Sequence, residues 1–106
     1  MAVENLFWTA FTSLQRQIAI DRTRTIISQH GDLVDFRFFS DLSVVLTVEI
    51  PEARLDALYK ALQSTLILDY FEALHSASQR ERTLFINVSF PAGTGDLKVE
   101  VPSVPG

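Results

Sequence analysis

Residues Gly31 to Leu62, GDLVDFRFFSDLSVVLTVEIPEARLDALYKAL, decide how this chain folds. The stretch reads as strand, tight turn, strand and helix. Leu42, Val44, Leu46, Val48 and Ile50 alternate with Ser43, Val45, Thr47 and Glu49. A period of two puts the first set on one face of a strand and the second on the other. β-Branched residues are frequent, as a pleated, half-buried surface favours. Before it, Leu33–Phe39 is also strand-like, with Val34, Phe36 and Phe38 on one side and Leu33, Asp35, Arg37 and Phe39 on the other. Ser40-Asp41 is the polar break between the runs and predicts an antiparallel hairpin.

Pro51-Glu52 starts a helix. A proline loses nothing in the first helical turn, where its missing N–H has no partner, and Glu52 meets the positive end of the helix dipole. Leu55, Leu58, Leu62 and Leu66 recur at three or four residues and form one apolar stripe. That stripe is expected to pack on the Leu42/Val44/Leu46/Val48/Ile50 face. Leu62, Leu66, Tyr70, Ala73, Leu74 and Ala77 extend the stripe to about Ser78 and predict that the helix continues. Ser64-Thr65 is a weak interruption, and a strand at Thr65–Phe71 is the alternative. Ser76–Arg82 reads as a polar connection.

Working outward, Leu6–Leu14 (LFWTAFTSL) fits two patterns. As a strand it sets Phe7, Thr9, Phe11 and Ser13 against Leu6, Trp8, Ala10, Thr12 and Leu14. As a helix it carries Phe7, Ala10, Phe11 and Leu14 on a stripe that runs on through Ile18. Aromatic and threonine content favours the strand. Leu14 to His30 is helical in pattern through Leu14, Ile18, Ile26 and Ile27. His30-Gly31 closes it: glycine is favoured past a helix end, where φ must be positive, and a histidine there suits the dipole. On the C-terminal side, Leu84, Ile86, Val88 and Phe90 alternate with Phe85, Asn87 and Ser89, so Thr83–Phe90 is a strand. Pro91–Asp96 is a turn-rich loop, Leu97–Val101 a short last strand, and residues 102–106 a loose tail.

The order β-α-β-β-α-β predicts an α+β fold of the ferredoxin-like (split βαβ) kind. It would have an antiparallel sheet, two helices on one face and an extra C-terminal strand. One domain is expected over residues 1–106.

The segment Ile26-Ile27-Ser28-Gln29-His30-Gly31-Asp32-Leu33-Val34-Asp35 joins a helix end, a glycine and a strand entry. It is followed by Val44-Val45-Leu46-Thr47-Val48-Glu49-Ile50-Pro51 and the Leu55/Leu58/Leu62 helix. These residues, less than half the chain, resemble the ACT family of small regulatory domains. The resemblance implies a ferredoxin-like regulatory module that responds to a small-molecule effector. ACT domains that bind amino acids usually carry an Asp-Arg-Pro-Gly-like turn between the first strand and helix. Here that place reads Thr12-Ser13-Leu14-Gln15, so no ligand residue carries over.

Charge and composition narrow the function classes. The net charge is −4, and the nine Lys and Arg are scattered. Nucleic acid wants a clustered basic face and an anionic membrane surface wants a polybasic one, so neither partner is expected. Cysteine is absent, which removes thiolate chemistry, disulfides and Cys-based zinc sites and accords with a cytoplasmic location. No apolar run reaches the ~20 residues that span a bilayer, and no signal peptide is legible at the N-terminus.

No catalytic, cofactor or metal signature is present, and none of the three is expected. His30 reads as a helix terminus and His75 as a surface histidine. Asp32, Asp35 and Asp41 lack calcium-loop spacing. Pro91-Ala92-Gly93-Thr94-Gly95 reads as a hairpin loop, because it lacks the lysine and serine of a phosphate loop and opens no helix.

The expected function is a non-enzymatic interaction or regulatory module that works as a homodimer. A sheet covered on one side leaves the other open, and that face would carry Val45, Phe85 and aromatics from the outer runs as an interface. The alternative is a small cofactor-free enzyme of the dimeric α+β-barrel type, drawing on His75, Trp8, Tyr70 and Asn87.

Overall fold

The computed structural model describes residues 5–91 of the chain. β1 (Leu6–Phe11) leads into α1 (Arg16–Ser28), and the hairpin β2 (Asp32–Ser40) and β3 (Ser43–Pro51) follows. A 3-10 turn at Glu52–Arg54 opens α2 (Leu55–Leu62), and β4 (Ile67–Leu68) and β5 (Glu81–Ser89) complete the order. The five strands form one sheet in the order β2-β3-β5-β1-β4. The expected strand at Leu97–Val101 lies outside the described residues.

The alternation read in Leu42–Ile50 is realised. Val44, Leu46, Val48 and Ile50 are buried, while Leu42 sits in the turn and is 44% exposed. β5 repeats the pattern with Leu84, Ile86 and Val88, and β1 with Trp8 and Ala10. These residues share one face of the sheet and one core with Leu55, Leu58 and Leu62 of α2 and Ala19, Ile20 and Ile27 of α1. Leu6–Leu14 thus resolves as a strand followed by a turn. Thr12 is buried at their junction: its Oγ1 accepts from Leu14 N at 3.0 Å and donates to the Thr65 carbonyl at 3.3 Å. The Gln15 side chain caps α1 by accepting from Ile18 N at 3.1 Å. Thr12, Leu14 and Gln15 are engaged in these local bonds.

Several expectations are corrected. In α1, Ile18 is 45% exposed, and the buried residues are Ala19, Ile20, Thr23 and Ile27. Leu14 lies before the helix and does not set its phase; Ile27 is buried as expected, Ile26 packs beside it, and Ala19, Ile20 and Thr23 take the place of Ile18 on the buried face. The helix after Pro51 does not continue to Ser78: α2 ends at Leu62, and residues 69–80 form neither helix nor strand. The turn at Gln63–Thr65 lets Leu66 enter the core at 3% exposure, while Ile67 and Leu68 bond to the edge of β1. Pairing at an open strand edge, with burial of Leu66, outweighs the weak helical propensity of a Ser-Thr break.

The sheet is mixed, not wholly antiparallel. β5 lies between β3 and β1, antiparallel to the first and parallel to the second. The reversal comes from the connection. β4 runs against β1, and residues 69–80 then carry the chain back along α2, so β5 enters the sheet in the direction of β1.

That return segment is held by side chains of the 3-10 turn and α2. The Asp56 carboxylate accepts from Leu74 N at 2.9 Å and His75 N at 2.8 Å. Tyr59 donates its hydroxyl to the Asp69 carbonyl at 2.8 Å. Arg82, 8% exposed, donates to Glu52 Oε1 at 2.8 Å. Gly31 stands just before β2 without a left-handed φ. A Cβ there would stand 2.7 Å from the Glu49 carbonyl oxygen, so the position needs glycine for a close backbone approach, not for positive φ.

Candidate functional site

The second face of the sheet carries the odd positions of β1, β3 and β5. Strand register sets them in rows. One row is Asp35, Thr47, Phe85 and Phe7; the next is Arg37, Val45, Asn87 and Thr9. A third brings together Ser43, Ser89, Phe11 and Ile67. Val45 and Phe85 therefore lie on neighbouring central strands in adjacent rows, half-buried by the residues around them. Phe7, Phe11 and Ile67 are 72%, 52% and 57% exposed. The Phe7 ring stacks on Phe85 with centroids 5.2 Å apart and planes 16° apart, which leaves its outer face bare.

This face is apolar at the β1 end and carries charge at Asp35 and Arg37 of β2, Glu49 of β3 and Glu81 of β5. Neither α1 nor α2 covers it, because both contribute to the core on the other side. In the middle row, the Asn87 side-chain oxygen is buried and has no hydrogen-bond partner among the described residues. A buried acceptor left unpaired is costly, and most in folded proteins find a donor.

The four residues of the enzyme alternative are not brought together. Trp8 points into the core between Tyr59 and Phe71, with ring centroids 5.3 and 5.0 Å away. Asn87 is on the opposite face of the sheet. Tyr70 is 86% exposed in the return segment, and His75 is exposed there with φ of 51°, its backbone held by Asp56. His30 caps α1, its Nδ1 2.9 Å from the Ile26 carbonyl.

The three aspartates are also apart in role. Asp35 meets Arg37 at 3.4 Å, Asp41 lies 3.8 Å from Arg16, and Asp32 stands opposite Glu49. Among the described residues no group of three His, Cys, Asp or Glu is placed to hold a metal ion. The Gly93 and Gly95 loop lies outside the described residues.

Two carboxyls are held below their ordinary pKa. Hydrogen bonds from Ser76 and Arg82 do this for Glu52. The backbone N–H of Leu74, seconded by that of His75, does it for Asp56. Both act on the return segment and neither faces the open sheet.

Strand alternation alone was enough to place Val45 and Phe85. Ile67 falls where a helical pattern competes with the strand alternative at Thr65–Phe71, and it joins this face only through the β1–β4 pairing. No helix among the described residues is long and apolar enough to cross a membrane. No protein-family model matches the chain, and no curated protein or solved structure shows significant similarity to it.

Proposed function

We propose that this chain is a non-enzymatic interaction module that self-associates through the open sheet face, with Val45 and Phe85 at the centre of the interface. The observation that carries this reading is the exposed Phe7, stacked on Phe85 beside Val45, with the exposed Phe11 and Ile67 beyond the Asn87–Thr9 row, on a face that no described helix covers. Clustered exposed apolar side chains of this kind mark an interaction site.

A second copy is the occupant that fits. Sheets pack face to face at about 10 Å with their strands within about 30° of each other, and a two-fold relation brings like rows together. The stretches that resemble ACT domains support a regulatory setting, with the self-associated form as the one that acts.

The test is mass in solution across dilution for the wild type, Val45→Glu and Phe7→Glu, with thermal unfolding as a control for fold. Both variants should stay folded and show half the wild-type mass. Phe7 is mostly exposed, so its variant tests the interface without disturbing the core. Unchanged mass in both variants means the open face is not where copies meet.

A further inference from the structure

The hairpin strand β2 is an edge. Among the described residues it bonds only to β3, so the outward N–H and C=O groups of a nine-residue strand have no strand partner. Exposed edges invite pairing, and proteins blunt them with charge, proline or bulges. β2 has bulges between Leu33 and Asp35 and between Phe38 and Ser40, which leaves Asp35–Phe38 as its regular part. The two charges there have opposite sign and flank Phe36 on either side. They share the open face and lie 3.4 Å apart within one chain, with side chains 49% and 70% exposed for Asp35 and Arg37.

That arrangement is self-complementary in one register. An antiparallel second copy, related by a two-fold axis through Phe36, sets Asp35 opposite Arg37 of that copy and Arg37 opposite its Asp35. Opposite charges facing each other across strands stabilise pairing, and like charges oppose it. Centring one residue earlier faces Asp35 with itself, and one residue later faces Arg37 with itself. Parallel, in-register pairing sets like against like throughout.

On the helix side, the same register meets Phe36 with Phe36 beside the half-exposed Phe38, 47% exposed. Arg24 and Arg16 of α1 already sit over these rings at 5.5 and 5.3 Å.

We infer that β2 is a self-pairing edge. Two copies join β2 to β2 about Phe36 and continue one sheet through both, with all helices on the same side. This surface is separate from the open face. A chain that uses both assembles as a tetramer with two kinds of two-fold axis.

The experiment uses the Phe7→Glu chain, whose substitution lies on β1 away from the Asp35 and Arg37 pair, measured by sedimentation over a dilution series with thermal unfolding alongside. Phe7→Glu alone is expected to be a dimer. Adding Arg37→Asp should halve its mass, and adding Asp35→Arg to that should restore the dimer, since the swapped charges again face their opposites.

As a second readout, the chain has no cysteine. Phe36→Cys should therefore cross-link to itself under mild oxidation, because a residue on the axis meets its own copy at strand spacing, whereas Ser40→Cys should not. A Phe7→Glu chain that stays monomeric at every concentration overturns the inference. So does an Arg37→Asp chain that keeps its mass, a charge swap that fails to restore the dimer, or equal cross-linking at Ser40→Cys.

Discussion

Replacing Gly31 with alanine would build a Cβ 2.7 Å from the Glu49 carbonyl oxygen, 2.9 Å from Ile50 Cβ and 3.2 Å from Ile50 Cα. Two of these three atoms are backbone, and the third is fixed to a residue with no exposure. None is the free end of a flexible side chain. Relief requires β2 and the end of β3 to separate where Asp32 faces Glu49. Overpacking of this kind costs about 1–3 kcal/mol. Each kcal/mol lowers Tm by roughly 4–8 °C in a domain of this size. Thermal and urea unfolding of Gly31→Ala should therefore show a clear loss at unchanged m-value.

The discriminating variant is Gly31→Asn. Asparagine is several-fold enriched in the left-handed region, so a penalty from φ would be smaller for asparagine than for alanine. A penalty from space would be at least as large. The reasoning is refuted if Gly31→Ala is neutral, or if asparagine is the better tolerated of the two.

In the core, Leu58→Ala removes a fully buried side chain of α2 and should cost about 2–5 kcal/mol. Tyr70→Ala, at 86% exposure, should stay within about 0.5 kcal/mol, and similar denaturation midpoints for the two would contradict the burial map. The Asp56 carboxyl has a lowered pKa in the folded chain, caused first by the Leu74 N–H. Its hold on the return segment is therefore complete above the unfolded aspartate value of about 3.9 and is lost as pH falls through the lower folded value. NMR shifts of the Leu74 and His75 amides should follow that titration and lose it in Asp56→Asn. A midpoint at or above the ordinary aspartate value would contradict the assignment.

Much of the framework was legible because it rests on local periodicity. The alternations of β3 and β5, the Leu55/Leu58/Leu62 stripe and the glycine before β2 all show in the residues. Each implies a face, and Val45 and Phe85 follow as the residues opposite the core. Where the sequence misled, tertiary pairing competed with a plausible local pattern. Leu66, Tyr70 and Leu74 are spaced for a helix. Folding instead buries Leu66 and leaves Tyr70 bare, because the open edge of β1 accepts Ile67 and Leu68, and Trp8 accepts Phe71. The parallel pairing of β1 with β5 depends on the route of residues 69–80, which no single window of sequence encodes. For the same reason Ile67 joined the candidate face only in three dimensions.

The placement of β5 also governs when the molecule can form during synthesis. Residues 84–89 fill the gap between β3 and residues 6–11 of β1, so the last described strand is the keystone of the sheet. A nascent chain that has emerged only to residue 80 holds a hairpin with α2 at one side and β1 with α1 at the other. It has no strand to join them, and the apolar faces of both halves stay wet. Closure must wait for contacts between distant parts of the chain, the kind of topology that folds slowly and leaves sticky surface exposed meanwhile. A ribosome stalled before Phe90 has cleared its exit tunnel should carry a chain that chaperones bind and proteases cut. One released a little later should carry a protected one.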